Sequence, residues 1–152
     1  MKYSEALKYI YDHLPMFQRE GKSAFKKDLT NILALCKALG HPEKNLKCVH
    51  IAGTNGKGSV TNLMAAMMQT HGLVTGLYTS PHYRDFREMV KVNGKMVDKR
   101  LLSRFIKNNL AALEQIKPSF FEMGFALALD WFEHEKVDVA AIETGLGGRL
   151  DS

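Results

Sequence analysis

The chain has 152 residues, 45% hydrophobic and 24% charged, with 21 basic against 16 acidic side chains and a formal charge of +5. That is enough for one domain with a real core. It is too apolar for a disordered segment and only mildly basic, which suits phosphate- or carboxylate-bearing ligands. No dense basic run with interleaved aromatics points to nucleic acid, no apolar run reaches membrane-spanning length, and the charged N-terminus is no signal peptide. A cytoplasmic protein with no nucleic-acid or membrane partner is expected.

Residues 4–14 carry Leu7, Ile10, Tyr11 and Leu14 on one helical face, and Pro15 closes the segment. Residues 16–27 mix charges with a glycine and read as a connecting loop. Residues 28–39 place Leu29, Ile32, Leu33, Cys36 and Leu39 at helical spacing. Gly40 fits the stop of that helix, and Pro42 prevents its continuation. The cysteines, Cys36 and Cys48, lie far apart at apolar positions and are expected as reduced core thiols.

Residues 46–52 read as the first strand, whose apolar run, Cys48 to Ala52, ends abruptly in a glycine-rich loop. The loop, Gly53-Thr54-Asn55-Gly56-Lys57-Gly58-Ser59-Val60, runs straight into a helical segment, residues 59–71. Strand, glycine loop, helix is the context of a phosphate-binding loop. Gly53, Gly56 and Gly58 have no side chains to block backbone N–H groups from anionic oxygens. The open N–H groups and positive dipole end of the helix then favour a phosphate. Lys57 adds a mobile cation, and Ser59 a hydroxyl suited to a phosphate-bound Mg²⁺. The spacing departs from the common G-x-x-x-x-G-K-[ST] loop, since only two residues separate Gly53 from Gly56 and Gly58 stands between Lys57 and Ser59. The stripe Val60, Leu63, Met64, Met67, Met68 reads as the core face, with Gly72 as the stop.

Residues 73–79 read as a second strand, expected as the parallel neighbour of the first after one crossover helix. Ser80-Pro81-His82 follows it. Residues 90–97 read as a hairpin turning at Asn93-Gly94. Asp98 is a cap for a helix with the stripe Leu101, Leu102, Phe105, Ile106, Leu110, Leu113. Ser119-Phe120-Phe121-Glu122 reads as a capping box for a helix, apolar nearly all round, that should be central. Residues 137–142 are a third strand, apolar enough to be buried on both faces, ending in Glu143 and a turn with Gly145, Gly147 and Gly148. Open α/β sheets bind ligands at the carboxyl ends of their strands. Residues 53–59, 80–82 and 143–148 then line one edge. Glu143 at that edge is placed to hold Mg²⁺ directly or through water. His82 is a candidate contact to substrate or phosphate, and Arg149 a partner for a carboxylate or phosphate.

The segment His50-Ile51-Ala52-Gly53-Thr54-Asn55-Gly56-Lys57-Gly58-Ser59 resembles the nucleotide loop of the folylpolyglutamate and dihydrofolate synthases, within the Mur ligase superfamily. Leu39-Gly40-His41-Pro42, Tyr78-Thr79-Ser80-Pro81-His82, Val92-Asn93-Gly94, Phe120-Phe121-Glu122 and Glu143-Thr144-Gly145-Leu146-Gly147-Gly148-Arg149-Leu150-Asp151 agree in order and spacing. Tyr83 stands where that family commonly has leucine, and Gly124 where it usually has threonine.

The resemblance implies an α/β fold, a P-loop-type parallel sheet flanked by helices, as an incomplete N-terminal ATP-binding domain over residues 1–152. The C-terminal glutamate-ligase domain is expected to be absent, and the end at Ser152, one residue past Asp151, is read as artificial or proteolytic. It implies an ATP- and Mg²⁺-dependent ligase joining L-glutamate to dihydropteroate or folates through an acyl phosphate, a monomer when full length, with the fragment itself inactive. ATP is expected on Gly53, Thr54, Asn55, Gly56, Lys57, Gly58, Ser59 and Val60, with Lys57 catalytic. The metal is expected on Ser59, Ser80 and Glu143. The pteroate or folate is expected near His82, Ser119, Phe120, Phe121, Glu122, Arg149, Leu150 and Asp151. Another Mur-type amide ligase and a non-catalytic nucleotide-binding module are the alternatives. A GTPase would need an N-K-x-D segment, which the sequence lacks.

Overall fold

The computed structural model describes residues 1–15, 28–145 and Asp151. The expected loop over residues 16–27, and Leu146, Gly147, Gly148, Arg149 and Leu150, lie outside the described residues. In chain order the helices are α1 (Tyr3–His13), α2 (Thr30–Ala38), α3 (Lys57–Thr70), α4 (Lys99–Ile116) and α5 (Phe120–His134). The strands are β1 (Cys48–Ile51), β2 (Thr75–Tyr78), β3 (Val90–Val92), β4 (Lys95–Met96) and β5 (Val139–Glu143). Short 3₁₀ turns cover Pro42–Asn45 and Phe86–Met89.

One five-stranded sheet has the order β1-β5-β2-β3-β4. β5 pairs in parallel with both β1 and β2, and the β3–β4 hairpin adds to β2 in antiparallel fashion. The three strands expected to be parallel are parallel, and the added hairpin makes the sheet mixed. The first two strands are not neighbours, however, since β5 lies between them. The physical reason is burial: Ala140, Ala141, Ile142 and Glu143 are buried, whereas β1 alternates exposed and half-buried residues. The strand with two buried faces takes an interior place, and the half-exposed one takes an edge.

α5 lies on one face of the sheet. Ten of its residues are buried, among them Phe120, Leu127, Trp131 and Phe132. A Cβ at Gly76 of β2 would come within 2.9 Å of the Phe132 ring, so glycine lets the helix approach the strand. α1, α2 and α4 join this large core through Ile10, Ile32, Leu35, Cys36, Leu102, Phe105, Ile106 and Leu113. α3 covers the other face with a smaller cluster, Ala65 on Leu77 and Ala141, flanked by Ile51, Met64 and Met68.

Five apolar positions depart from expectation. On α3, Thr61 and Ala65 are buried while Val60, Leu63 and Met67 stay exposed, at 47%, 65% and 58%. Small side chains bring this helix close to Ala141 of β5, so size outweighs hydrophobicity in choosing its inner face. On α2, Leu33 is 61% exposed and Asn31 is buried in its stead. Cys48 is exposed on the edge strand, whereas Cys36 is a core thiol as expected.

Candidate functional site

The register sets Ile51 opposite Glu143 and Ile142 opposite Tyr78, so the three parallel strands finish at one edge. After Ile51 the chain turns through Gly53 (φ 156°) and Gly56 (φ 75°), backbone conformations that glycine tolerates best. Gly56 is the N-cap of α3 and supplies no side-chain cap; the helix opens with Val60 N–H donating to the Gly56 carbonyl, 3.0 Å. Among the described residues, none accepts a hydrogen bond from the backbone N–H groups of residues 54–59. Residues 52–56 and Ser59 are exposed, so these donors face solvent at the positive end of a 14-residue helix.

Lys57 arches back over this loop, its Nζ donating to the Gly53 carbonyl at 2.9 Å. Glu143 stands behind the loop, only 6% exposed. A Cβ placed on Gly58 would lie 3.6 Å from its Oε1. Its Oε2 accepts the Ser80 N–H at 3.1 Å. The loop glycines, Lys57, Ser80 and Glu143 are thus brought together by three strand ends. Ser59 and Val60 sit on the first turn of α3. Among the described residues, no three or more His, Cys, Asp or Glu side chains cluster as a metal site. A cation here would rely on one carboxylate, serine hydroxyls, phosphate oxygens and water, a hard oxygen set that fits Mg²⁺.

The other face of this edge is aromatic. Ser80, Phe121, Phe125, Glu143, Gly145 and Asp151 surround a small pocket. Asp151 Oδ2 accepts the Gly145 N–H at 3.0 Å. Tyr78 is buried beneath; burial first, then the Asp151 and Glu143 carboxylates, push its phenol pKa far up, and its OH donates to the Phe121 carbonyl at 3.3 Å. Ser119 and Glu122 form the reciprocal capping box: Glu122 N–H donates to Ser119 Oγ (3.2 Å) and Ser119 N–H to Glu122 Oε2 (2.7 Å). Asn31 adds a 3.5 Å bond to the same carboxylate, which is buried. Phe120 is in the core, edge-on to Phe121 and Phe86, while Phe121 is half-buried. His82 is half-buried against Phe86 and Phe120, with Nε2 3.0 Å from the Tyr11 hydroxyl. Arg149 and Leu150 lie outside the described residues.

Sequence reasoning passed over Tyr11, Asn31 and Tyr78 as site neighbours. For Tyr78 the signal was its place directly before Thr79-Ser80-Pro81-His82. Tyr11 read as one more core-facing ring.

No protein-family model matches the chain. Individual relatives do. The folylpolyglutamate synthase of Lacticaseibacillus casei is 37% identical over the whole chain, and the dihydrofolate synthase/folylpolyglutamate synthase of Bacillus subtilis is 38% identical over 99% of it. In structure, a folylpolyglutamate synthase in complex with AMPPCP and folate superposes with a TM-score of 0.88 at 35% identity over 99% of the chain. The chain belongs to the folylpolyglutamate/dihydrofolate synthase family. It spans about a third of the length of these relatives, 36% and 35% of the two sequences and 37% of the solved complex. The mixed sheet and its flanking helices are the architecture of folylpolyglutamate synthase. No helix among the described residues is long and apolar enough to cross a membrane.

Proposed function

We propose that this chain is the nucleotide-binding part of an ATP-dependent ligase that joins L-glutamate to a dihydropteroate or folate carboxylate, and that a further glutamate-ligase domain completes the cleft. The observation that carries this reading is the open row of N–H groups over residues 54–59, with Lys57 above and Glu143 behind. Such donors, fixed before the reaction, stabilise charge on a transferring phosphoryl group. The substrate carboxylate attacks the γ-phosphorus, ADP leaves, and the acyl phosphate so formed is attacked by the glutamate amine with release of phosphate.

In this scheme the backbone of Gly53, Thr54, Asn55, Gly56, Gly58, Ser59 and Val60 cradles the phosphates. Lys57 exchanges the Gly53 carbonyl for a phosphate oxygen. Ser59, Ser80 and Glu143 would hold Mg²⁺, which supplies charge neutralisation between phosphate oxygens. The pteroate end lies on the aromatic side, along His82, Phe121 and Asp151, with Ser119, Phe120 and Glu122 shaping the wall from behind; Arg149 and Leu150 are proposed as further contacts. The protein acts in the cytoplasm as a monomer, without nucleic acid or membrane.

Titration calorimetry with ATP, with and without Mg²⁺, tests the reading. Weak, Mg²⁺-strengthened binding and no glutamate ligation by residues 1–152 alone are expected. Absence of any nucleotide affinity, or ligation by these residues alone, would contradict it.

A further inference from the structure

α1 contributes no strand, no loop glycine and no carboxylate to the edge described above, yet it is tied to both elements of the aromatic wall. Tyr3 and Tyr11 are eight residues apart, which brings them near one face of a helix. Tyr3 OH donates to Asp85 Oδ1 at 2.9 Å, and Asp85 is in turn gripped by the Arg87 guanidinium at 2.7 Å. Tyr11 OH meets His82 Nε2 at 3.0 Å, and its ring lies near-parallel to Phe120, 6.2 Å between centroids. The Pro15 carbonyl, just past α1, accepts the Phe120 N–H at 3.0 Å.

His82 has little else to orient it. Its other ring nitrogen, Nδ1, is buried and has no hydrogen-bond partner among the described residues. The aromatic contacts, 5.7 Å to Phe120 and 6.1 Å to Phe86, confine the ring but do not choose between its two flipped orientations. The Tyr11 hydroxyl makes that choice. Two residues earlier in the chain, Ser80 N–H is bound to Glu143, so the loop between is pinned at both ends.

We propose that Tyr11 is a positioning residue: through its hydrogen bond to His82 it fixes the imidazole and the loop after Ser80 against Phe120, and so sets how tightly the pteroate-bearing substrate is held. This rests on the ligase reading above. It assigns to α1 a role in acceptor binding and none in nucleotide binding.

The test is a double-mutant cycle in the full-length protein. Tyr11→Phe keeps the ring and removes only the hydroxyl, and His82→Phe removes the partner. The loss of one hydrogen bond should raise KM for the folate substrate about fivefold in Tyr11→Phe, with KM for ATP unchanged and kcat within about twofold. The double variant should be no worse than the worse single one, because both break the same bond. Multiplying effects, an unchanged folate KM or an equal rise in the ATP KM would overturn the proposal. A second readout does not depend on turnover. Ring ¹⁵N signals of His82 at one fixed pH should shift between the unsubstituted protein and Tyr11→Phe, because Nε2 loses its partner; identical spectra would overturn the assignment. If the unsubstituted protein ligates no glutamate at all, the ligase reading falls, and the ring spectra still decide the Tyr11–His82 link.

Discussion

Two helices, α3 and α5, begin near the same edge of the sheet and treat their first turns in opposite ways. α5 starts with Ser119 and Glu122, whose side chains and backbone N–H groups satisfy one another. α3 starts with Gly56, Lys57 and Gly58, where no side chain caps and Lys57 reaches to a carbonyl instead of an amide. A capped start is finished structure, and an uncapped one is unspent binding capacity for an anion. The difference is written in which residue types stand at the N-cap and the third helical position.

Substitutions at the open start should act on ligand affinity, and those at the closed start on stability. The largest effect is expected for Lys57→Ala. Losing one charge-assisted contact to phosphate should weaken Mg²⁺–ATP binding by about 2 kcal/mol, roughly 30-fold in Kd, with the melting temperature little changed. Calorimetry and thermal unfolding of the same sample check both halves. Glu143→Gln comes next. It keeps a carbonyl oxygen for the Ser80 N–H but removes the charge proposed to hold Mg²⁺, so it should cost roughly tenfold in the Mg²⁺-dependent part of ATP affinity and leave metal-free binding unaffected.

Ser119→Ala tests the closed start. It should destabilise the fold by about 1 kcal/mol in urea titrations while ATP affinity stays as it was. A loss of ATP affinity on this substitution would blur the contrast between the two helices.

The smallest effect concerns Asp85. Partial burial raises its pKa, but the Arg87 guanidinium and backbone N–H, with Tyr3 OH, more than offset this and hold it down at about 2. A carboxylate whose folded pKa lies below its ordinary 3.8 adds stability that is complete above the ordinary value and disappears as pH falls toward about 2. Thermal midpoints of Asp85→Asn should therefore fall less steeply than those of the unsubstituted chain between about pH 4 and pH 2.

The contrast between the helices was legible in the sequence because caps and glycine loops are local. Asp98, Ser119 and Glu122 bond as their spacing requires, and the G-x-x-G-K-G-S run forms the strand-to-helix turn it suggests. What escaped is set by distant partners. The place of β5 between β1 and β2 depends on which strand can bury both faces, a comparison across the whole chain. The inward side of α3 follows from the small Ala141 beneath it, which makes Ala65 a better fit than Leu63. The Tyr11–His82 bond spans 71 positions, and nothing near either residue announces the other.

The central claim is that the first turn of α3 is open for an anion while that of α5 is closed. Backbone amide NMR of the chain with Mg²⁺ and AMPPCP tests it most directly. The account predicts large shifts for the N–H groups of residues 54–59 on addition of the nucleotide, and none for those of Ser119 and Glu122. Unmoved signals over residues 54–59 at saturating nucleotide would contradict it.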